Sequence, residues 1–167
     1  SWTKPSAGLR AFGDKGILEA VLVDRTNGFV WAGGWDGDPV TFHWQMGKGI
    51  DAALNWCPLE TCGDGDWQNK VWPEEGTVAA LALDHLGRVW AGVNRDGAGV
   101  VPPVAGVKVL AEDGWSEITP VNSDLAGGEI KSLASDGERM WVGTLDRGVS
   151  LYDAVPLPTP TPSSTPS

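Results

Sequence analysis

From Ile130 to Asp153 apolar and polar positions alternate in three short runs, Ile130–Ala134, Met140–Gly143 and Val149–Tyr152. Ser135-Asp136-Gly137 and Asp146-Arg147-Gly148 separate them. Alternation at period two, broken by Gly-containing turns, predicts three antiparallel strands in a meander. The same pattern occurs twice upstream, as ILEAVLVDRTNGFVWAGGWDGDPVTFHW from Ile17 to Trp44 and as VAALALDHLGRVWAGVNRDGAGVV from Val78. In each copy the first strand ends near an Asp (Asp24, Asp84, Asp136) and a Trp (Trp31, Trp90, Trp141) opens the second. That Trp leads into Ala-Gly, Ala-Gly and Val-Gly, and a polar turn then leads to a third strand. A fourth, Trp-bearing element stands upstream of each copy, at Trp2, Trp67 and Trp115.

Trp31, Trp90 and Trp141 are 59 and 51 residues apart, so the repeat varies in length while its four-strand order persists. Four-stranded meanders repeated at this length are blades of a β-propeller. The expected fold is therefore all-β: a propeller segment of about three four-stranded antiparallel blades, part of a larger propeller. Blade units fall near 17–44, 78–110 and 130–153, with outer strands near Trp2, Trp67 and Trp115. A blade has two apolar faces, and stacking blades buries both. Trp31, Trp90 and Trp141 are then structural wedges between blades. An outer strand at the start and three strands at the end are the arrangement that closes a ring. Three blades are too few to close one, so further blades of the same polypeptide are expected, with a six-bladed ring of two chains as the alternative.

The insertion in the first unit is expected between Trp44 and Trp67. Met46–Trp56 has a weakly helical look there, and the stretch from Cys57 reads as loop. Residues 154–167, AVPLPTPTPSSTPS, read as an extended Pro/Thr/Ser linker. The chain starts at Ser1 without a signal peptide and is expected to be an excerpt of a longer polypeptide.

Composition narrows the function classes. Ten Trp and 41% hydrophobic residues supply packed cores. A net charge of −10, with no basic cluster, repels phosphate backbones, so no nucleic-acid partner is expected. No apolar run approaches the roughly 20 residues of a membrane-spanning helix, so the segment is not expected to insert in a membrane. Cys57 and Cys62 leave two readings open: a local disulfide, which needs an oxidising compartment, or two free thiols. No zinc set accompanies them.

Each candidate for chemistry has a plainer alternative. Trp35, Trp44 and Trp72 lie outside the repeat pattern and are candidate ligand contacts, as is Trp56, against burial of the insertions. Asp36 and Asp38, in Trp35-Asp36-Gly37-Asp38, are candidate polar contacts, against turn formation. Asn122 lies in a loop of the kind that lines a propeller's mouth. No calcium loop, dinucleotide fingerprint or nucleophile constellation is present, so no catalytic residue, metal or cofactor is expected.

The run from Trp115 to Asp153 resembles the two-component regulator propeller repeat. Trp115, Asn122-Ser123-Asp124-Leu125, Asp136, Met140-Trp141-Val142-Gly143-Thr144 and Gly148 to Asp153 carry the resemblance. It extends to the second unit, where Val93 replaces the Thr, and more loosely to the first, where Gly34 does. The resemblance implies a non-catalytic bacterial module for sensing or interaction, extracellular or periplasmic, without identifying a ligand; a small-molecule or glycan ligand is the expected partner. The alternatives are part of a secreted propeller glycoside hydrolase, whose acid–base carboxylates can come from distant blades, and a cell-surface scaffold that binds protein.

Overall fold

A computed structural model describes residues 16–36, 51–62, 67–73, 76–94 and 105–153. These form eleven strands and, among the described residues, no α-helix. Strands β1 (Ile17–Asp24), β2 (Phe29–Asp36), β3 (Asp51–Pro58) and β4 (Gln68–Trp72) make one antiparallel sheet in sequential order. Strands β5 (Thr77–Leu83), β6 (Val89–Asn94), β7 (Gly106–Ala111) and β8 (Gly114–Ile118) make the second. Strands β9 (Ile130–Ser135), β10 (Arg139–Thr144) and β11 (Val149–Asp153) make the third. Among the described residues each strand pairs antiparallel with its neighbour in sequence within its sheet, as the alternating pattern requires.

One expectation fails in the first sheet. The third strand is Asp51–Pro58, so the chain longer than a turn joins β2 to β3 and precedes Asp51. The helical look of 46–56 and the loop reading from Cys57 are thereby corrected over 51–58. Ala52, Ala53 and Leu54 favour a helix in isolation, but here they pair on both sides, with β2 and with β4. Burial on both faces of a central strand overrides a local preference worth only tenths of a kcal/mol per residue. In the second sheet, β7 begins at Gly106 and pairs with both β6 and β8.

The three sheets pack face to face in series, with inner strands β1, β5 and β9 side by side. Trp31, Leu54 and Trp72 of the first sheet close on Val78, Val89, Ala91 and Val93 of the second, joined by Leu81 and Leu83. Trp90, Val107 and Val109 of the second close on Ile130, Met140 and Val142 of the third, joined by Leu133. Strand β6 is thus buried along its whole length, one side chain to each neighbour in turn.

Each inner strand carries a register irregularity at the same place: between Leu18 and Ala20, between Val78 and Ala80, and between Ile130 and Ser132. The extra residue turns Val78 and Ile130 toward the preceding sheet, beside Leu81 and Leu133 respectively. There they meet a glycine. A Cβ on Gly33 would collide with Val78, and one on Gly92 with Ile130. The Trp-x-Gly pattern therefore has a packing cause: Trp fills the space between sheets, and Gly opens a slot for the next inner strand.

Candidate functional site

The polar groups beside the Trp positions are built from local turns. Asp84 accepts hydrogen bonds from the backbone N–H of Leu86 (3.0 Å) and Arg88 (2.9 Å), from Arg88 Nε (2.6 Å) and from Trp90 Nε1 (2.9 Å). Burial pushes its carboxyl upward, but the Trp90 and Arg88 bonds outweigh that and hold it below the ordinary aspartate value. Asp136 repeats the arrangement with Trp141 Nε1 (2.8 Å), the Glu138 and Arg139 amides and Arg139 Nε (3.2 Å). The Trp141 bond leads in holding Asp136 well below the ordinary value.

The first sheet departs from this. Asp24 is fully buried and accepts from the Asn27 backbone N–H and from Asn27 Nδ2, both at 2.8 Å. Asn27 Nδ2 also donates to the Gly87 carbonyl (2.9 Å), tying the turn of the first sheet to that of the second. Trp31 Nε1 is left buried without a partner among the described residues. The hairpin is longer here, with six residues between Asp24 and Trp31 against five and four in the other sheets, and Asn27 occupies the carboxylate.

Two clefts open between the sheets. A cavity of about 370 Å³ lies between the second and third, lined by Trp90, Val107, Leu125, Leu151, Tyr152 and Asp153 among others. The rings of Trp90 and Tyr152 meet there at 5.0 Å. A cavity of about 480 Å³ lies between the first and second, lined by Phe29, Trp31, Trp56, Arg88, Glu112 and Trp115 among others. Trp31 and Trp56 are stacked, with centroids 5.4 Å apart, and Phe29 abuts Trp31 at 5.9 Å. An aromatic wall flanked by one guanidinium and one carboxylate suits a ring-shaped polar ligand, stacked on Trp56 and hydrogen-bonded at its rim.

The sequence-derived candidates are dispersed. Trp35 is buried and sits opposite Ala52, which sits opposite Trp72, so the two rings share one face of the first sheet. Trp72 is buried edge-on to Trp115 (5.1 Å), with Lys108 Nζ 5.9 Å from its ring centre. Little of either ring remains for a ligand. Asn122 builds its own turn: its Oδ1 accepts from Thr119 N (2.7 Å) and its Nδ2 donates to the Glu117 carbonyl (3.0 Å). Asp36 lies at the end of β2 opposite Asp51. Asp38 and Trp44 lie outside the described residues, as do Trp2 and 154–167.

Of the three wedge residues, Trp31 and Trp90 lie between sheets, whereas Trp141 is 38% exposed on the outer face of the third. Cys57 and Cys62 are disulfide-bonded, with Cα atoms 5.3 Å apart. Phe29, Arg88 and Glu112 were not singled out from sequence as cleft residues. Their grouping depends on how two sheets face each other, which no local pattern encodes. Among the described residues no group of three His, Cys, Asp or Glu could hold a metal ion, and no helix is long and apolar enough to cross a membrane.

These features define an all-β protein of serially packed, blade-like antiparallel sheets with clefts between them. Among solved structures, the fold is similar to the extracellular domain of BT4673 from B. thetaiotaomicron, described as a one-component system. That match has a TM-score of 0.52 and 21% identity, over 83% of this chain and 16% of the other. A structure of the extracellular domain described as a hybrid two-component system gives a TM-score of 0.54 and 20% identity, over 88% and 17%. The chain thus spans about one sixth of the length of those structures. No family model matches the chain, and no curated protein does.

Proposed function

We propose that the chain is a non-catalytic β-propeller segment of the two-component regulator repeat type, working outside the cytoplasm as a ligand-sensing module. The observation that carries this reading is the fold shared with extracellular domains of signalling systems. The Cys57–Cys62 disulfide supports an oxidising location. The ligand is a small molecule or glycan, and the cleft between the first and second sheets is its place. Trp56 supplies a stacking face there, and Arg88 and Glu112 supply polar rim contacts.

Titration of Trp fluorescence against a panel of soluble oligosaccharides and small polar metabolites tests this. The expected result is saturable quenching by at least one compound, lost in Trp56→Ala and kept in Trp141→Ala. Binding that survives Trp56→Ala moves the ligand to another site. Hydrolysis of an oligosaccharide, abolished by neutralising one carboxylate, replaces the sensor reading with an enzyme.

A further inference from the structure

Asn27-Gly28 is the one Asn-Gly pair in the chain. A glycine after an asparagine leaves its main-chain nitrogen open to the side-chain amide carbon, because no Cβ shields the approach. That nitrogen, once its proton is lost to solvent base, can attack Asn27 Cγ. A five-membered succinimide closes and the Nδ2 group leaves as ammonia. Water then opens the ring at one carbonyl or the other, leaving aspartate or isoaspartate at position 27. Water is the only co-reactant.

The turn after β1 holds both reacting groups. Gly28 N–H, at φ +77°, donates to the Asp24 carbonyl (3.0 Å). Asn27 Nδ2 donates to Asp24 Oδ2 (2.8 Å) and to the Gly87 carbonyl (2.9 Å), and the Asn27 backbone N–H donates to Asp24 Oδ1 (2.8 Å). The nucleophile is engaged and the amide is pinned at two points, so ring closure requires the turn to open. Asn27 is itself exposed, so water reaches it, and an exposed turn opens at far lower cost than the whole chain.

The same amide ties two sheets together. Its bond to Gly87 crosses from the turn after β1 to the turn after β5, and a Cβ on Gly87 would meet Asn27 Nδ2 at 3.4 Å. Both residues line the cleft between the first and second sheets. A carboxylate has no proton to donate, so conversion removes both Nδ2 bonds at once. It also sets a negative charge beside the fully buried Asp24 and against the Gly87 carbonyl oxygen.

We infer that Asn27 is a site of spontaneous deamidation, slowed by the closed turn, and that its conversion unties the first sheet from the second at the edge of their cleft. The inference stands on the turn alone and is independent of any ligand.

The test incubates the wild-type protein in mildly alkaline buffer, folded or unfolded in urea, and follows position 27 by peptide mass spectrometry. Exchange of NH2 for OH raises the peptide mass, whereas isomerisation at the Asp-Gly pairs does not. Conversion is expected in both samples, at least about tenfold slower in the folded one, because only the open fraction reacts. Asn27→Gln, whose ring would have six members, should convert far more slowly than the wild type in urea. The converted wild-type chain carries one more negative charge and is separated by anion exchange. It is expected to unfold at lower urea than the unconverted chain. Asn27→Asp should shift the same way, and Asn27→Ala, which loses both bonds without gaining a charge, should shift less. The converted wild-type chain gives the reading even if Asn27→Asp fails to fold. No conversion in urea overturns the site, and equal rates in the folded and unfolded samples overturn the protection. A converted chain as stable as the unconverted one overturns the tie.

Discussion

Gly92 lies directly beneath Ile130: a Cβ at Gly92 would stand 2.5 Å from the Cγ2 atom of Ile130, well inside carbon–carbon contact distance. The second strand of one sheet and the inner strand of the next therefore approach only because the first has no side chain there. Gly92→Ala is expected to destabilise the chain by about 1–3 kcal/mol, the usual cost of overpacking. In the Ile130→Ala background that penalty should shrink, because the opposing methyl groups are gone. Urea unfolding of the two single variants and the double variant measures the coupling; strict additivity would refute the slot.

Gly143→Ala provides the contrast. Its added Cβ meets the Ser132 side chain of its own sheet, which can turn aside. The expected loss is smaller than for Gly92→Ala by the same urea assay, and an equal or larger loss would count against the slot.

The three Trp indoles differ in what they donate to, and Trp→Phe substitutions should rank accordingly. Trp90→Phe deprives the buried Asp84 of a donor and is expected to cost about 1–3 kcal/mol beyond the lost packing. Trp31→Phe removes an N–H that has no partner among the described residues, so it should cost only the packing change. Trp141→Phe acts on an exposed pair and should be mildest of the three. Thermal or urea midpoints of the three variants give the order directly.

Acid should weaken the fold through Asp84 and Asp136. Both are held below the unfolded aspartate value, so the unfolded chain binds more protons as the pH drops. Their contribution is complete above the unfolded pKa of about 3.9 and is lost as the pH falls through the lower folded values. The urea midpoint should therefore decline below about pH 4, and Asp84→Asn should flatten that decline. A decline unchanged by the substitution would assign it to other carboxyls.

The disulfide closes a short loop at the end of β3. Cys57 is fully buried and Cys62 lies just beyond the turn after Pro58. A loop this short constrains the unfolded chain modestly, so Cys62→Ser should cost about 2 kcal/mol. Denaturation with and without reductant checks it: reductant should lower the wild-type midpoint and leave that of Cys62→Ser unchanged.

Much of the fold was legible from the chain. Period-two alternation and Gly-containing turns marked β1, β2, β5, β6 and β9 to β11, because hairpin strands and their turns are encoded within a dozen neighbouring residues. The repeated Asp, Trp and Gly marked equivalent positions in three sheets. The sequence did not reveal β3, because Ala52, Ala53 and Leu54 suit a helix as well as they suit a strand. Pairing on both sides with β2 and β4 decides between them. Nor did it distinguish Trp141 from Trp31 and Trp90, which share its local pattern; whether the ring is covered depends on a neighbouring sheet.

The grouping of Phe29, Trp56, Arg88 and Glu112 was likewise invisible, since it arises where two sheets face each other. Apart from β3, sequence alone determined where the strands lie, where they turn and which face of each is apolar, because those follow from short-range sterics and periodicity. Only the tertiary structure decided which apolar faces are buried and which cleft collects aromatic and charged groups, because burial belongs to pairs of sheets rather than to any one of them.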